Sequence, residues 1–165
     1  MTRGFTLLEL LITISLMMIL LASAAPSFSS VIKTVKVQRL ASELNGFLVQ
    51  AKSEAVNRNE DLWVKFSFSK DDPQAAGTWY LDMINSANEV LFQLDGTPFS
   101  DINISHSYSS QKIKFEGIRG RPSAGNITLT SDSISNNALK LVLSNPPGRI
   151  KLCGSSSEVY DYPKC

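Results

Sequence analysis

Hydrophobic positions along the chain follow three successive patterns, and each predicts a different element. From Leu10 to Ile32 no side chain carries a charge. A helix from Phe5 to Ala25 would extend roughly 31 Å at about 1.5 Å per residue, the thickness of a bilayer core, so this stretch is expected in a membrane at some stage. After Pro26 the apolar residues Val37, Leu40, Ala41, Leu44, Phe47, Leu48, Ala51 and Ala55 recur at three- and four-residue spacing, while Lys33, Lys36, Arg39, Glu43, Lys52, Glu54 and Arg58 take the remaining faces. The spacing predicts one long helix that turns amphipathic and ends near Asn57, Asn59 and Asp61. Its second half has an apolar face to lay on a sheet, and Gly46 within it costs up to about 1 kcal/mol relative to Ala. The repeats are too few to specify a heptad coiled coil.

From Asp61 the period becomes two. Leu62, Val64, Phe66 and Phe68 alternate with Trp63, Lys65 and Ser67, and Ile113 and Phe115 with Lys112, Lys114 and Glu116. Ile127 and Leu129, then Leu139, Leu141 and Leu143, then Ile150 and Leu152 repeat the alternation. Residues 78–84 and 89–94 read as a hairpin about Asn85-Ser86-Ala87-Asn88, and Asn145-Pro146-Pro147-Gly148 as the turn of another. The expected class is α+β: a long N-terminal helix whose amphipathic half packs against one antiparallel sheet or two small ones.

Composition changes this picture little, but charge placement does. The 165 residues suit one globular domain beside the helix, and the net charge of +1 says nothing about partners. Residues 61–111, however, hold two lysines against seven carboxylates, and residues 112–165 hold eight cations against four carboxylates, an acidic half followed by a basic one. Cys153 and Cys165 lie close together near the end of the chain. Outside the cytoplasm such a pair reads as a disulfide, and without a neighbouring histidine it makes a poor metal site. His106, the one histidine, stands in Ser105-His106-Ser107 with no motif about it and reads as a loop or strand residue. No Walker loop, nucleophile elbow or metal-spaced cluster occurs, so neither an enzyme nor a cofactor is expected.

Glu9 is out of place in an apolar helix, where an unpaired carboxylate costs a few kcal/mol on insertion scales, and a cationic partner is expected. Cutting the chain after Gly4 would create one: the α-amine of Phe5, four residues from Glu9 on one helical face. The run Gly4-Phe5-Thr6-Leu7-Leu8-Glu9-Leu10-Leu11 resembles the type III signal of type IV prepilins and type II secretion pseudopilins. The resemblance implies that a prepilin peptidase removes residues 1–4 as a leader after Gly4, that the Phe5 amine is methylated, and that Glu9 pairs with a Phe amine during assembly. It also implies that the Phe5–Ala25 helix spans the bacterial inner membrane once, later entering a filament core, with the globular part periplasmic. Pro26 falls where these proteins often carry a helix-kinking proline. The alternative is a secretory signal peptide, with Arg3 as its basic region, Leu10 to Leu21 as its apolar core and Ala22-Ser23-Ala24 as its cleavage site; it leaves Glu9 unexplained.

Taken from leader to last cysteine, the chain resembles the FimT/GspH group of minor pilins and secretion pseudopilins, with a type IV pilin-like fold and other pilins or pseudopilins as partners. Members with a C-terminal cysteine pair are more often pilus components. In the branch serving DNA uptake a Gly-Arg-x-Arg motif supplies the DNA contacts, and this chain has Gly148-Arg149-Ile150-Lys151. Lys151 keeps the charge but loses the planar fork of arginine. On one strand Arg149 and Lys151 would share a face about 6.6 Å apart with Ile150 turned to the core, and Lys164, drawn in by the disulfide, could extend a patch for double-stranded DNA. The competing reading is a hairpin that needs its glycine and tolerates an exposed arginine. The organisation expected is therefore residues 1–4 as leader, 5–25 as membrane and filament helix, 26–60 as its amphipathic half, and 61–165 as a β-rich domain closed by the Cys153–Cys165 loop.

Overall fold

The computed structural model describes residues 5–72, 77–131 and 138–165, without the side chains of residues 23–27, 29 and 30. One helix, α1, runs from Leu7 to Arg58. Among the described residues eight strands follow: β1 Leu62–Phe66, β2 Tyr80–Ile84, β3 Val90–Asp95, β4 Ile102–His106, β5 Lys112–Phe115, β6 Gly125–Ser131, β7 Leu139–Ser144 and β8 Arg149–Gly154. They form two antiparallel four-stranded sheets, ordered β3-β2-β1-β5 and β4-β6-β7-β8. This is the α+β class expected. The chain divides into two compact units, Met1–Val35 and Lys36–Cys165.

Both ends of α1 are capped by local chemistry. Thr6 Oγ1 accepts the Glu9 amide at 3.2 Å, and the Leu10 amide donates to the Thr6 carbonyl at 3.1 Å. Thr6-Leu7-Leu8-Glu9 thus has the spacing of a capping box, and the Glu9 charge also favours a helix N-terminus. The helix therefore begins at Leu7, leaving Phe5 ahead of its first turn. At the other end Asn59 takes a left-handed φ of 50°; its amide reaches the Val56 carbonyl and the Glu60 amide the Ala55 carbonyl, each at 3.1 Å. This pair of bonds is a Schellman stop, with asparagine in place of the usual glycine.

All eight apolar positions expected on the amphipathic face, Val37 through Ala55, are buried. They join Leu62, Val64 and Phe66 of β1, Leu81 and Met83 of β2, Ile102 and Ile104 of β4, Ile113 and Phe115 of β5, and Ile127, Leu129, Leu139 and Leu141 of β6 and β7 in one core. Every residue of that core lies within the Lys36–Cys165 unit, which has its own hydrophobic centre and disulfide and is a folding unit in its own right. Lys36 is tied to Asp101 at 2.8 Å.

Both predicted hairpins form. Asn85 and Glu89 close the β2–β3 turn, with the Asn85 amide on the Glu89 carbonyl at 3.1 Å. Residues 145–148 join β7 to β8, whose register pairs Ser144 with Arg149 and Leu143 with Ile150. The strand Ile102–His106 is an element that the hydrophobic pattern had not been read to contain, although Ile102, Ile104 and His106 alternate with Asn103 and Ser105 and only the inward three are fully buried.

Candidate functional site

Three regions carry the residues singled out from the sequence. At the N-terminus Gly4 lies outside the described residues, and Phe5 and Glu9 are exposed. Phe5, Leu7, Leu8 and the apolar residues on to Leu21 expose large side chains, Leu7 at 77 % and Leu21 at 70 %. Among the described residues no helix is long and apolar enough to cross a membrane; the span expected from the sequence runs on through residues 23–25, whose side chains are not described.

At the C-terminus Cys153 and Cys165 form the expected disulfide, with Cα atoms 4.9 Å apart. The tail is laid along β8: the Gly154 amide donates to the Pro163 carbonyl at 2.9 Å and the Cys165 amide to the Gly154 carbonyl at 3.0 Å. Val159 is buried beneath it, and Gln38 of α1 donates to the Tyr160 carbonyl at 3.3 Å. The tail therefore pairs with the edge strand at its Gly154 end, satisfying the backbone groups of that residue.

Along β8, Arg149 and Lys151 alternate with Ile150 and Leu152, and the latter two pack on the core. Arg149 and Lys151 thus share the outer face as expected. Lys140 of β7, opposite Cys153, and Val142, opposite Lys151, belong to the same face. None of the strands β4, β6, β7 and β8 contains a carboxylate, so the outer face of this sheet is purely cationic and neutral. Lys164 bridges to Gly154, five residues beyond Arg149 and so about 16 Å along the strand. It extends the charge into a line instead of gathering at Arg149.

The third region lies where β8 begins. Lys52 Nζ donates to the Gly148 carbonyl at 3.0 Å. A groove of about 550 Å³ opens there, lined by Val49, Lys52, Val56, Asn57, Arg149 and Ile150 among others. The loop between β5 and β6 reaches the end of α1 because Asp61 holds it: Oδ2 pairs with Lys114 at 2.7 Å and Oδ1 accepts the Gly117 amide at 2.9 Å. The Lys114 hydrogen bond, then the Gly117 amide, keep the Asp61 carboxyl below its ordinary pKa. The Gly117–Arg121 loop and Gly148 are far apart in sequence, and no local pattern links them; the fold brings Arg121 against Gly148.

His106 is structural. It is buried, its ring stacked on Phe66 at 4.0 Å. Nδ1 accepts the Tyr108 amide at 3.2 Å, so the ring proton is on Nε2, which donates to the Phe68 carbonyl at 3.1 Å. Both nitrogens are satisfied in the neutral form, and burial lowers the pKa.

Comparison with known proteins assigns this arrangement. The family model described as type II transport protein GspH matches residues 40–148. The chain belongs to the GspH family. A second model, the prokaryotic N-terminal methylation motif, matches residues 1–25, so the GspH-type domain follows a pilin-type N-terminus. Two crystal structures of the type IV minor pilin FimU of Pseudomonas aeruginosa are similar in fold: one has a TM-score of 0.58 at 20 % identity, covering 74 % of this chain and 91 % of that one. The other has a TM-score of 0.56, also at 20 % identity, covering 74 % and 96 %. The long helix on antiparallel sheets is therefore the type IV pilin fold. No curated protein sequence matches the chain. The GspH family comprises structural subunits of the minor pilin and pseudopilin type, associating with other pilins in a filament.

Proposed function

We propose that this GspH-family chain is a minor type IV pilin whose leader is removed after Gly4 by a prepilin peptidase, with methylation of the Phe5 amine. The Phe5–Ala25 segment, helical from Leu7, then anchors the subunit in the inner membrane, with the Lys36–Cys165 unit in the periplasm, until it enters or primes a pilus. The observation that carries this reading is the contrast within α1: large apolar side chains from Phe5 to Leu21 are exposed, whereas the apolar face from Val37 to Ala55 is buried. An exposed apolar run of that length requires lipid or other helices. Glu9 is available to a neighbouring subunit's amine, although its Thr6-capped position also gives it a local role in starting the helix.

Glu9→Ala and Glu9→Gln separate the two roles. If Glu9 pairs with an amine, both variants abolish incorporation into sheared pili while the mature chain still accumulates in the membrane. If it only completes the cap, Glu9→Gln, which keeps the capping-box residue type, assembles normally, and the pairing role is wrong. The same measurement divides pilus from secretion, since a secretion pseudopilin would leave pili intact and stop exoprotein release.

A second reading, binding of double-stranded DNA by the globular unit, is favoured by the carboxylate-free outer face that carries Lys140, Arg149 and Lys151. Phosphate contacts of this kind are sequence-tolerant and steeply salt-dependent. In a salt titration of duplex DNA with the oxidised Lys36–Cys165 unit, affinity should fall as salt rises, and Arg149→Gln/Lys151→Gln should lower both the affinity and the slope, the latter by about 1.8. Absence of binding at low salt would leave the filament role alone.

A further inference from the structure

The cations near the start of β8 come from three segments distant in sequence that meet at Gly148. Lys52 of α1 donates to its carbonyl at 3.0 Å. Arg121 packs against the same residue: a Cβ on Gly148 would stand 3.4 Å from Arg121 Cγ, and the φ of +77° there already favours glycine. The loop carrying Arg119 and Arg121 closes on the helix at Gly120, φ +61°, where a Cβ would fall 2.8 Å from Lys52 Cγ. Arg149 leaves the turn directly, and both it and Arg119 are exposed. Among the described residues none of Lys52, Arg119, Arg121 and Arg149 forms an ion pair, and Glu54, the carboxylate nearest Lys52 in sequence, is taken by Arg58 at 2.9 Å.

We infer that these segments form a single phosphate-binding site around the Gly148–Arg149 turn, in which Arg119, Arg121 and Arg149 contact the phosphodiester backbone of a nucleic acid and Lys52 is a positioning residue that holds the turn to α1. The inference rests on the DNA reading above and extends it: it adds a second row of contacts, outside the β8 face, and a reason for the glycines on either side of Lys52. Glu116 stands in the same loop, its amide donating to the Arg121 carbonyl at 3.0 Å, but it pairs with none of the four cations. Their like charges repel one another in the free protein, and a polyanion relieves that repulsion while releasing its own counterions. The open groove and the two exposed arginines suit a continuous backbone laid across the surface more than a small enclosed anion.

The test is a salt series with random-sequence duplex DNA and the oxidised Lys36–Cys165 unit, comparing wild type with Arg119→Gln, Arg121→Gln, Lys52→Met and Lys52→Arg, thermal midpoints being recorded for each. Each arginine variant should weaken binding about three- to tenfold and shift the slope of log affinity against log salt by about 0.9 toward zero, a change that a purely structural role does not produce. Lys52→Met should weaken binding comparably, and Lys52→Arg, which can still donate to the Gly148 carbonyl, should restore it. If wild type binds no DNA, the DNA reading and this inference fall together. If wild type binds and Arg149→Gln weakens it, but the Arg119 and Arg121 variants keep wild-type slope and affinity, only this inference is overturned. A Lys52→Met variant that loses thermal stability without losing affinity when folded would remove the positioning role. Equal affinity for anionic lipid vesicles would show a general anion surface and overturn the assignment to nucleic acid.

Discussion

Phe66→Ala is expected to lower the stability of the Lys36–Cys165 unit by about 3–5 kcal/mol, the usual range for emptying a buried phenylalanine site. Phe66 is 1 % exposed in β1, an interior strand of the first sheet. Its ring touches Phe68 edge-on at 5.5 Å and stacks on His106 at 4.0 Å and on Tyr108 at 6.0 Å. Removing it takes the stacking partner from the His106 ring, which keeps only its tilted contacts with Phe68 and Tyr108, and opens a cavity beside a neutral histidine. The effect has a pH signature. Burial holds the folded pKa of His106 below its ordinary value, so its contribution is full above the unfolded histidine pKa and is lost as pH falls through the depressed folded one. With Phe66 gone, water reaches the ring, the folded pKa climbs toward the unfolded one, and this acid dependence shrinks. Urea denaturation at about pH 8 and about pH 5 should therefore show a larger loss at the higher pH. An equal loss at both would mean that Phe66 is not what keeps His106 dry.

Removing the disulfide has the second large effect. Cys153→Ser/Cys165→Ser should cost about 3 kcal/mol in the chain-entropy model, because the bridge closes a loop across a separation of 12 residues. The cost should be local as well as global. The tail is otherwise held by the buried Val159, the Gln38 bond to the Tyr160 carbonyl and the backbone bonds at Gly154, so the reduced protein should be cut first between Ser155 and Lys164 under limited proteolysis. Melting curves with and without reductant give the magnitude. A loss well under 1 kcal/mol would show that the backbone bonds at Gly154 and the buried Val159 secure the tail without the bridge.

Much of the fold was legible because neighbouring residues carry it. The face Val37 to Ala55 of α1 follows from the 3.6-residue period, and the helix stop follows from asparagine's tolerance of the left-handed region. The alternation in β1, β5, β7 and β8 and the Asn145–Gly148 turn need only a few adjacent residues to specify them, and the two cysteines are near enough in sequence to find one another. The glycine, phenylalanine and glutamate of the N-terminal motif sit within a single run. Thr6-Leu7-Leu8-Glu9 shows the limit of such reading: the same glutamate that calls for an intermolecular partner also fits a capping box within its own turn.

The partition of the strands depended on tertiary structure. Local alternation states that a strand has an inner and an outer face but not which strand lies beside it, so the two four-stranded sheets, and the route by which β5 returns to β1 before β6 joins β4, were decided by how the apolar faces close over α1. His106 acquired its fixed tautomer from the Tyr108 amide two residues on and from the Phe68 carbonyl, a long-range contact that no single segment contains. Lys164 was carried to the Gly154 end of β8 because the tail folds back and pairs with Gly154 beside the disulfide. Lys52, Arg121 and Gly148 meet where Gly120 and Gly148 take left-handed φ values and where a Cβ on Gly120 would crowd the Lys52 side chain. Periodicity and short-range chemistry specified the helix, most of the strands with their buried faces, and the pilin-type N-terminus, but not the strand Ile102–His106. Only the tertiary structure decided which cations stand together, because charge neighbourhoods depend on long-range pairings that the burial of the core selects.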